Sequence, residues 1–186
     1  MQYNLQTLPD PPLKRGRIPF VVNYSFKEKG MKQKTQVVAN SYFEIVAEKL
    51  KQGTSIRIKV LGDSMYPLIH GGKDEILLIP HHPDEELPMW SAVFYQWGDH
   101  YMVHRYIRRE GDVMVMLGDG NIYREEKVPA TEIIGVLKTI YHPNGKETDC
   151  LSAEWLKRGE RWYKLLPVRR YLLFILKRLR KIGLID

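Results

Sequence analysis

Two hairpin signals in the middle of the chain constrain its fold most. Residues 91–97 and 101–109 are strand-length segments joined by Gly-Asp at 98–99, and a second Gly-Asp at 111–112 leads into a third segment at 113–117. Gly beside Asp supplies the positive φ of tight β-turns, and such short loops join antiparallel neighbours. The middle of the chain is therefore predicted to be a meander of short antiparallel strands.

Segments on both sides of this meander extend the sheet and add helices. Further strands are predicted at 55–61, 75–79, 132–141 and 148–151, and residues 122–131 are predicted to be a connection. A helical period begins at Val37 or Ser41 and stops at Gly53, and two more helices are predicted at 152–166 and 167–182. The predicted fold class is mainly β with flanking helices (α+β), an antiparallel β fold with two C-terminal helices.

The chain divides into three parts by composition. Its 186 residues fit one domain with appended ends. Residues 1–36 are polar and contain a proline cluster, which predicts a loose arm with one strand at 18–24. Residues 37–151 form the predicted β body, and residues 152–186 form a basic helical extension that packs on or beside the body.

Charge and cysteine content limit the partners and the compartment. Residues 1–150 carry 19 Lys/Arg and 19 Asp/Glu, whereas residues 151–186 carry 10 and 3, so the net charge of +7 lies in the tail. A body without net charge argues against a nucleic-acid surface, and no specific nucleic acid is expected.

Cys150 is the single cysteine, and no signal peptide or transmembrane helix is predicted. A cytoplasmic location is expected.

The last predicted helix is basic and amphipathic. Apolar residues fall on one side, and six Lys/Arg cover much of the rest. Three interpretations remain open: docking on the body with a solvated charged face, peripheral contact with an anionic membrane, and binding of an acidic leader peptide.

A polar turn at 62–67, with the sequence Gly-Asp-Ser-Met-Tyr-Pro, follows the strand predicted at 55–61. A serine acts as a nucleophile where its oxygen is exposed on a rigid turn beside a base. Met65 can anchor the turn by burying its side chain, and Pro67 fixes the backbone. Ser64 is therefore the candidate nucleophile, and the alternative is a turn serine that bonds its own backbone.

His104 is the candidate base among six histidines, because it lies inside a predicted strand that fixes its direction. A carboxylate is then needed to hold one imidazole tautomer. Asp119, in a tight turn, is the candidate, and Asp63 is the weaker one because its side chain is expected to point away from that of Ser64. The alternatives are a structural strand histidine and an aspartate that bonds local backbone amides.

No cofactor and no metal are expected. The sequence has no paired-cysteine spacing and no His-Glu-x-x-His, and the His-His pair at 81–82 lies in a Pro-flanked loop. The Gly-Gly-Lys at 71–73 is too short for a phosphate loop and precedes a strand.

The order of these motifs resembles the superfamily of type I signal peptidases and LexA-like serine peptidases. The resemblance covers about residues 55–141. It rests on the motifs Gly-Asp-Ser-Met-Tyr-Pro at 62–67, Val-His-Arg at 103–105, Gly-Asp-Gly-Asn at 118–121 and Ile-Gly-Val at 134–136. The serine box is very close to that of Gram-positive type I signal peptidases. Small soluble bacterial proteins of this type are the members that the whole chain resembles most.

The resemblance implies site roles. Ser64 would be the nucleophile, and His104 would be the general base at a position where most members have lysine, as in the branch with a Ser-His pair. Asp119 matches the family's aspartate, although Gly120 is inserted before Asn121. The family's oxyanion hole uses the serine N–H and often a hydroxyl two residues earlier, where this chain has Gly62. Besides Gly62, the turn residues Asp63 and Met65 are candidate parts of the oxyanion region.

The expected function is that of a serine-type endopeptidase that cleaves a peptide or leader segment, with its peptide or protein substrate added as a strand at a sheet edge. The alternative is a non-catalytic or self-cleaving LexA-like regulatory or binding module. Two features weigh against self-cleavage: the chain has no Ala-Gly or Cys-Gly bond, and the arm is too short and irregular for a helix-turn-helix domain.

Overall fold

The computed structural model describes residues 32–184. Within that range the chain forms one antiparallel sheet of eight strands and three α-helices, two of them at the carboxyl end. The strands are β1 Ile56–Lys59, β2 Glu75–Pro80, β3 Ala92–Trp97, β4 His100–Glu110, β5 Val113–Leu117, β6 Glu125–Pro129, β7 Ile133–Tyr141 and β8 Glu147–Asp149. The helices are α1 Lys32–Lys51, α2 Ala153–Lys164 and α3 Leu166–Lys181, and a short 3-10 helix spans Ala130–Glu132. The predicted fold class is confirmed.

The sheet order is β1-β2-β7-β3-β4-β5-β6, and β8 pairs with β7. The predicted hairpins are present, because β3 pairs with β4 and β4 pairs with β5, each antiparallel. β1 and β6 therefore lie at the two edges of the main path, and β4 lies inside the sheet. A residue on β4 has a fixed direction because both of its neighbours hold the strand.

The largest differences from the prediction are the start of α1 and the presence of β6. α1 begins at Lys32, five residues before the earlier predicted start, and the expected stop at Gly53 is present with a φ of +82°. β6 lies inside the stretch that was predicted to be a connection. The strand predicted at 18–24 lies outside the described residues.

The C-terminal helices pack against the same core as the sheet. Ser152 caps α2, because its hydroxyl accepts a hydrogen bond from the Trp155 N–H at 3.3 Å. Trp155 and Trp162 of α2 and Leu173 of α3 are buried in the main apolar cluster. In α1, Val46, Ala47 and Leu50 are buried in that cluster as well. Among residues 32–184, no helix is long and apolar enough to cross a bilayer.

Candidate active site

A cleft of about 360 Å³ brings the predicted nucleophile and base to one place. Ser64 and His104 both line it, and so do Gly62 and Met65. Asp63 and Asp119 are not among the lining residues, although Asn121 and Glu126 are. The cleft wall also includes apolar side chains from α1, β1, β2 and β3: Phe43, Ile58, Ile76 and Phe94.

The serine turn exposes Ser64 on a buried platform. Met65 and Tyr66 are 4% and 1% exposed, whereas Ser64 is open to solvent. The turn is closed by backbone hydrogen bonds from Tyr66 N–H to the Asp63 carbonyl at 3.1 Å and from Ile69 N–H to the Met65 carbonyl at 3.0 Å. The burial expected for Met65 is confirmed, and the hydroxyl lies on a turn that its neighbours hold in place.

His104 lies on β4 with its ring buried and its Nδ1 atom in contact with two groups. Glu126 Oε2 lies 3.1 Å from Nδ1, and the Tyr95 hydroxyl lies 3.0 Å from it. A carboxylate at this distance favours the tautomer in which Nδ1 carries the proton and donates it. The lone pair of neutral His104 is then on Nε2, which is the atom a general base needs.

Tyr95 remains a hydrogen-bond donor in this cluster. Burial raises the pKa of its phenol well above the usual value, and the negative charge of Glu126 and a hydrogen bond to that carboxylate raise it further. The protonated hydroxyl lies 3.0 Å from Nδ1 of His104, so it helps to hold the ring in one arrangement.

Gly118 permits the close approach of the serine turn and the histidine strand. A side-chain carbon at this position would lie 2.6 Å from the Ser64 carbonyl oxygen and 3.1 Å from Cδ2 of His104. The N–H of Gly120 donates to the same carbonyl at 2.7 Å. The turn at 118–121 therefore holds the Ser64 carbonyl on the side of the imidazole where Cδ2 lies.

Within residues 32–184, no hydrogen bond joins the Ser64 hydroxyl to the His104 ring. Hydrogen bonds between a nucleophile and its base are often long in a free enzyme and shorten when substrate binds. The two side chains line the same cleft, and the close approach at Gly118 brings the backbone of the serine turn near the imidazole.

The carboxylate that contacts His104 is Glu126 and not Asp119, which corrects the expected direct contact. Asp119 instead accepts two hydrogen bonds from Arg105. Arg105 Nε donates to Oδ1 at 2.8 Å, and Arg105 Nη2 donates to Oδ2 at 2.7 Å. The reason is strand geometry. Leu117 is paired with Arg105 across the sheet, and Asp119 follows two residues later, so it meets Arg105 on the face of β4 opposite to His104.

The two C-terminal helices hold the turn at 118–121 from behind. The Trp162 indole N–H donates to the Asp119 carbonyl at 2.8 Å, and Arg169 Nη1 donates to the Asn121 carbonyl at 3.1 Å. Arg169 is buried and also donates from Nη2 to the Trp162 carbonyl at 2.9 Å. Packing of α2 and α3 thus reaches the site through the backbone of this turn.

The other acidic turn residue has a different partner. Asp63 Oδ1 lies 3.1 Å from Nη1 of Arg180 on α3, so its side chain points away from the cleft, as expected. Gly62 has a φ of +80° and provides no hydroxyl to an oxyanion. Among the described residues, no backbone carbonyl accepts a hydrogen bond from the N–H group of Ser64 or Met65, so both groups are candidate oxyanion donors.

A separate Asp–His–Thr series fixes the end of the serine loop. Asp74 is buried and accepts from the His70 N–H at 2.7 Å. His142 Nδ1 lies 3.0 Å from Asp74 Oδ1, and His142 Nε2 lies 2.9 Å from the Thr148 hydroxyl. The series ties the residues that follow the serine turn to the hairpin of β7 and β8. We assign it a structural role.

Sequence reasoning missed Glu126 and Tyr95. Glu126 lies among four consecutive charged residues, which are typical of a solvated surface. The signal that could have found it is alternation, because Glu126 and Val128 are buried while Glu125, Lys127 and Pro129 are exposed. Register confirms this direction: Glu126 pairs with Met116, which pairs with Tyr106, two residues from His104 on the same face of β4.

Comparison with models of known protein families found no match to the chain, and comparison with curated proteins found none either. Within residues 32–184, no group of three or more His, Cys, Asp or Glu side chains is arranged to hold a metal ion.

Proposed function

We propose that this chain is a serine endopeptidase with Ser64 as nucleophile, His104 as general base and Glu126 as the carboxylate that positions the base. One observation supports the proposal above the others. The Nδ1 atom of His104 is held by Glu126 at 3.1 Å in the same cleft that Ser64 lines. The motif order that resembles signal peptidases and LexA-like peptidases supports the same assignment.

The reaction uses both nitrogen atoms of the imidazole. Nδ1–H of His104 donates to the Glu126 carboxylate, and Nε2 accepts the proton of the Ser64 hydroxyl as its oxygen attacks the peptide carbonyl carbon. The C–N bond then breaks, and the proton on Nε2 passes to the leaving amine. A water molecule then attacks the acyl ester and gives a proton to Nε2. The bond between the carbonyl carbon and Ser64 Oγ breaks, the proton passes from Nε2 to Oγ, and the carboxylic acid is released.

The oxyanion of the tetrahedral intermediate would be held by backbone donors. The N–H groups of Ser64 and Met65 belong to the turn that carries the exposed Ser64 hydroxyl. Fixed donors aimed at the developing charge contribute strongly because they need no rearrangement during the reaction. Since Gly62 lacks a hydroxyl, this chain would rely on N–H groups alone.

The substrate would be an extended peptide with an apolar side chain near the cleaved bond. β1 is an edge strand of the sheet, and Ile58, Lys59 and Val60 line the cleft, so an added strand along β1 would reach Ser64. Phe43, Phe94 and Tyr101 supply an apolar wall for one side chain of that strand.

A peptide-library experiment tests the proposal without knowledge of the natural substrate. The parent protein, Ser64→Ala, His104→Ala and the exposed-serine control Ser55→Ala are incubated with a diverse library, and new termini are identified by mass spectrometry. We expect cleavage by the parent and by Ser55→Ala, and its loss in the other two variants. The same cleavage sites in Ser64→Ala would contradict the proposal.

The regulatory alternative predicts different results in the same assays. Apolar peptides would bind to the cleft of the parent and remain intact. A discrete fragment of the protein itself, formed at alkaline pH and absent in Ser64→Ala, would instead indicate self-cleavage.

A further inference from the structure

Helix α3 presents an apolar stripe to solvent. Tyr171, Phe174 and Ile175 are 59%, 69% and 51% exposed, although the opposite face of the helix buries Arg169 and Leu173 against the body. The stripe therefore lies outside the core.

Cations surround this stripe. α3 contains six Lys/Arg and no acidic residue. Arg169 is buried and Arg180 is paired with Asp63, and the other four cations are exposed: Arg170, Lys177, Arg178 and Lys181. None of these four has an acidic partner among the described residues. An exposed face that joins aromatic and aliphatic side chains to unpaired cations is typical of a helix that lies in a membrane interface.

Charge argues against two other occupants of this face. Residues 1–31 carry five Lys/Arg and two Asp/Glu, so they are themselves cationic. A second copy of the chain would bring the same basic helix to the interface, and like charges facing each other oppose association. A surface rich in phosphate and carboxylate groups complements the face in both charge and polarity.

We propose that α3 binds the surface of an anionic lipid bilayer. Lys177, Arg178 and Lys181 contact the headgroups, and Phe174 and Ile175 enter the boundary between headgroups and acyl chains. The helix is already folded and held from behind by its buried face, so binding does not have to offset the conformational entropy cost of forming it.

Vesicle sedimentation tests this proposal. The full chain is mixed with vesicles of phosphatidylcholine alone or of phosphatidylcholine with phosphatidylglycerol, at low and high ionic strength. A triple variant, Lys177→Gln with Arg178→Gln and Lys181→Gln, removes three charges from α3. Its matched control, Lys49→Gln with Lys51→Gln and Lys146→Gln, removes three exposed charges elsewhere, and Phe174→Gln removes the largest apolar contact.

We expect the parent and the control to pellet with anionic vesicles at low ionic strength. Each basic residue near the surface contributes about fivefold to partitioning, the equivalent of about 1 kcal/mol, so the α3 triple variant should bind about a hundredfold more weakly. Phe174→Gln should weaken binding at both ionic strengths, because the apolar contact is not screened by salt. Circular dichroism of each variant, compared with that of the parent, tests whether the helix content is retained.

Three results would overturn the proposal. The first is equal pelleting with neutral and anionic vesicles, and the second is equal binding by the two triple variants. The third is a concentration-dependent dimer that Phe174→Gln abolishes, because the stripe would then be an interface between copies of the chain.

Discussion

His104 and Arg105 are neighbours on β4, and each contacts a buried carboxylate on its own face of the strand. The two pairs differ in what they can do. His104 meets Glu126 at 3.1 Å on the cleft side, and Arg105 meets Asp119 at 2.8 and 2.7 Å on the helix side. All four side chains are buried. Imidazole exchanges its proton near neutral pH, whereas guanidinium does not. One pair can take part in chemistry, and the other can only hold structure.

The surroundings of the two pairs agree with this division. The His104 face opens to the cleft that Ser64 lines. The Arg105 face is closed by α2, where Gly159 lies directly against the guanidinium and leaves no room for a side chain. Arg105 also donates to the Trp90 carbonyl. Because Asp119 belongs to the turn that contacts the Ser64 carbonyl, the structural pair supports the site from behind.

The largest effect is expected from Glu126→Gln. The amide keeps the size of the side chain but no longer favours a proton on Nδ1 of His104, so Nε2 loses its role as acceptor in much of the population. We expect kcat for any cleaved peptide to fall roughly 10²- to 10⁴-fold, with a smaller change in KM. The measurement is steady-state kinetics across pH, on peptides found in the library.

Glu125→Gln is the matched control for that experiment. It is the adjacent residue, it points to the other face of β6, and it pairs with Arg108 at the surface. Its kcat should stay within about twofold of the parent, because exposed ion pairs contribute little. Equal losses in the two variants would mean that Glu126 does not act through His104.

The missed strand and the missed site residue have one cause. Residues 124–127 read Arg-Glu-Glu-Lys, and charge is a good indicator of exposure for most such runs. Glu126 is buried beside His104 and Tyr95, which lie on strands that are distant from it in sequence. Local alternation indicates a strand, but it does not reveal which carboxylate meets an imidazole 22 residues away.

The same limit explains the choice of Asp119. Its place in the motif order made Asp119 the expected partner of His104. In the structure Asp119 contacts the next residue of β4, Arg105, instead. The hairpins at 98–99 and 111–112, in contrast, were predictable because their turns and strands are local. Ser64 and His104 were predicted as a pair from the order of their motifs, and both line the same cleft.

The second largest effect is expected on stability, from Asp119→Ala. This variant leaves the buried Arg105 guanidinium without its carboxylate, and breaking a buried pair in this way costs about 3–5 kcal/mol of the free energy of unfolding. Urea denaturation followed by circular dichroism measures the loss. Glu75→Ala breaks the exposed pair with Arg57 and should cost less than about 1 kcal/mol. A similar small cost in both variants would remove the structural role that distinguishes the Arg105 face.

The smallest effect is expected from Tyr95→Phe, and it depends on pH. Burial and the charge of Glu126 raise the pKa of Tyr95 in the folded protein, whereas an unfolded tyrosine ionises near its usual value of 10.0. Below pH 10.0 the phenol is protonated in both states, and above it only the unfolded state gains by losing the proton. The parent therefore loses stability as pH rises above 10, by up to about 1.4 kcal/mol per pH unit from this one group.

Tyr95→Phe removes this alkaline loss and, at neutral pH, removes a hydrogen bond that contributes about 1 kcal/mol. Its unfolding free energy should start below that of the parent and fall less steeply above pH 10. Tyr123→Phe, which removes a phenol that is 81% exposed, is the control for the loss of a tyrosine. If the Tyr95→Phe curve ran parallel to that of Tyr123→Phe above pH 10, the phenol would not be held in its protonated form by burial and the charge of Glu126. The His104 face would then have one fixed donor fewer, and Glu126 alone would have to set the tautomer of the base.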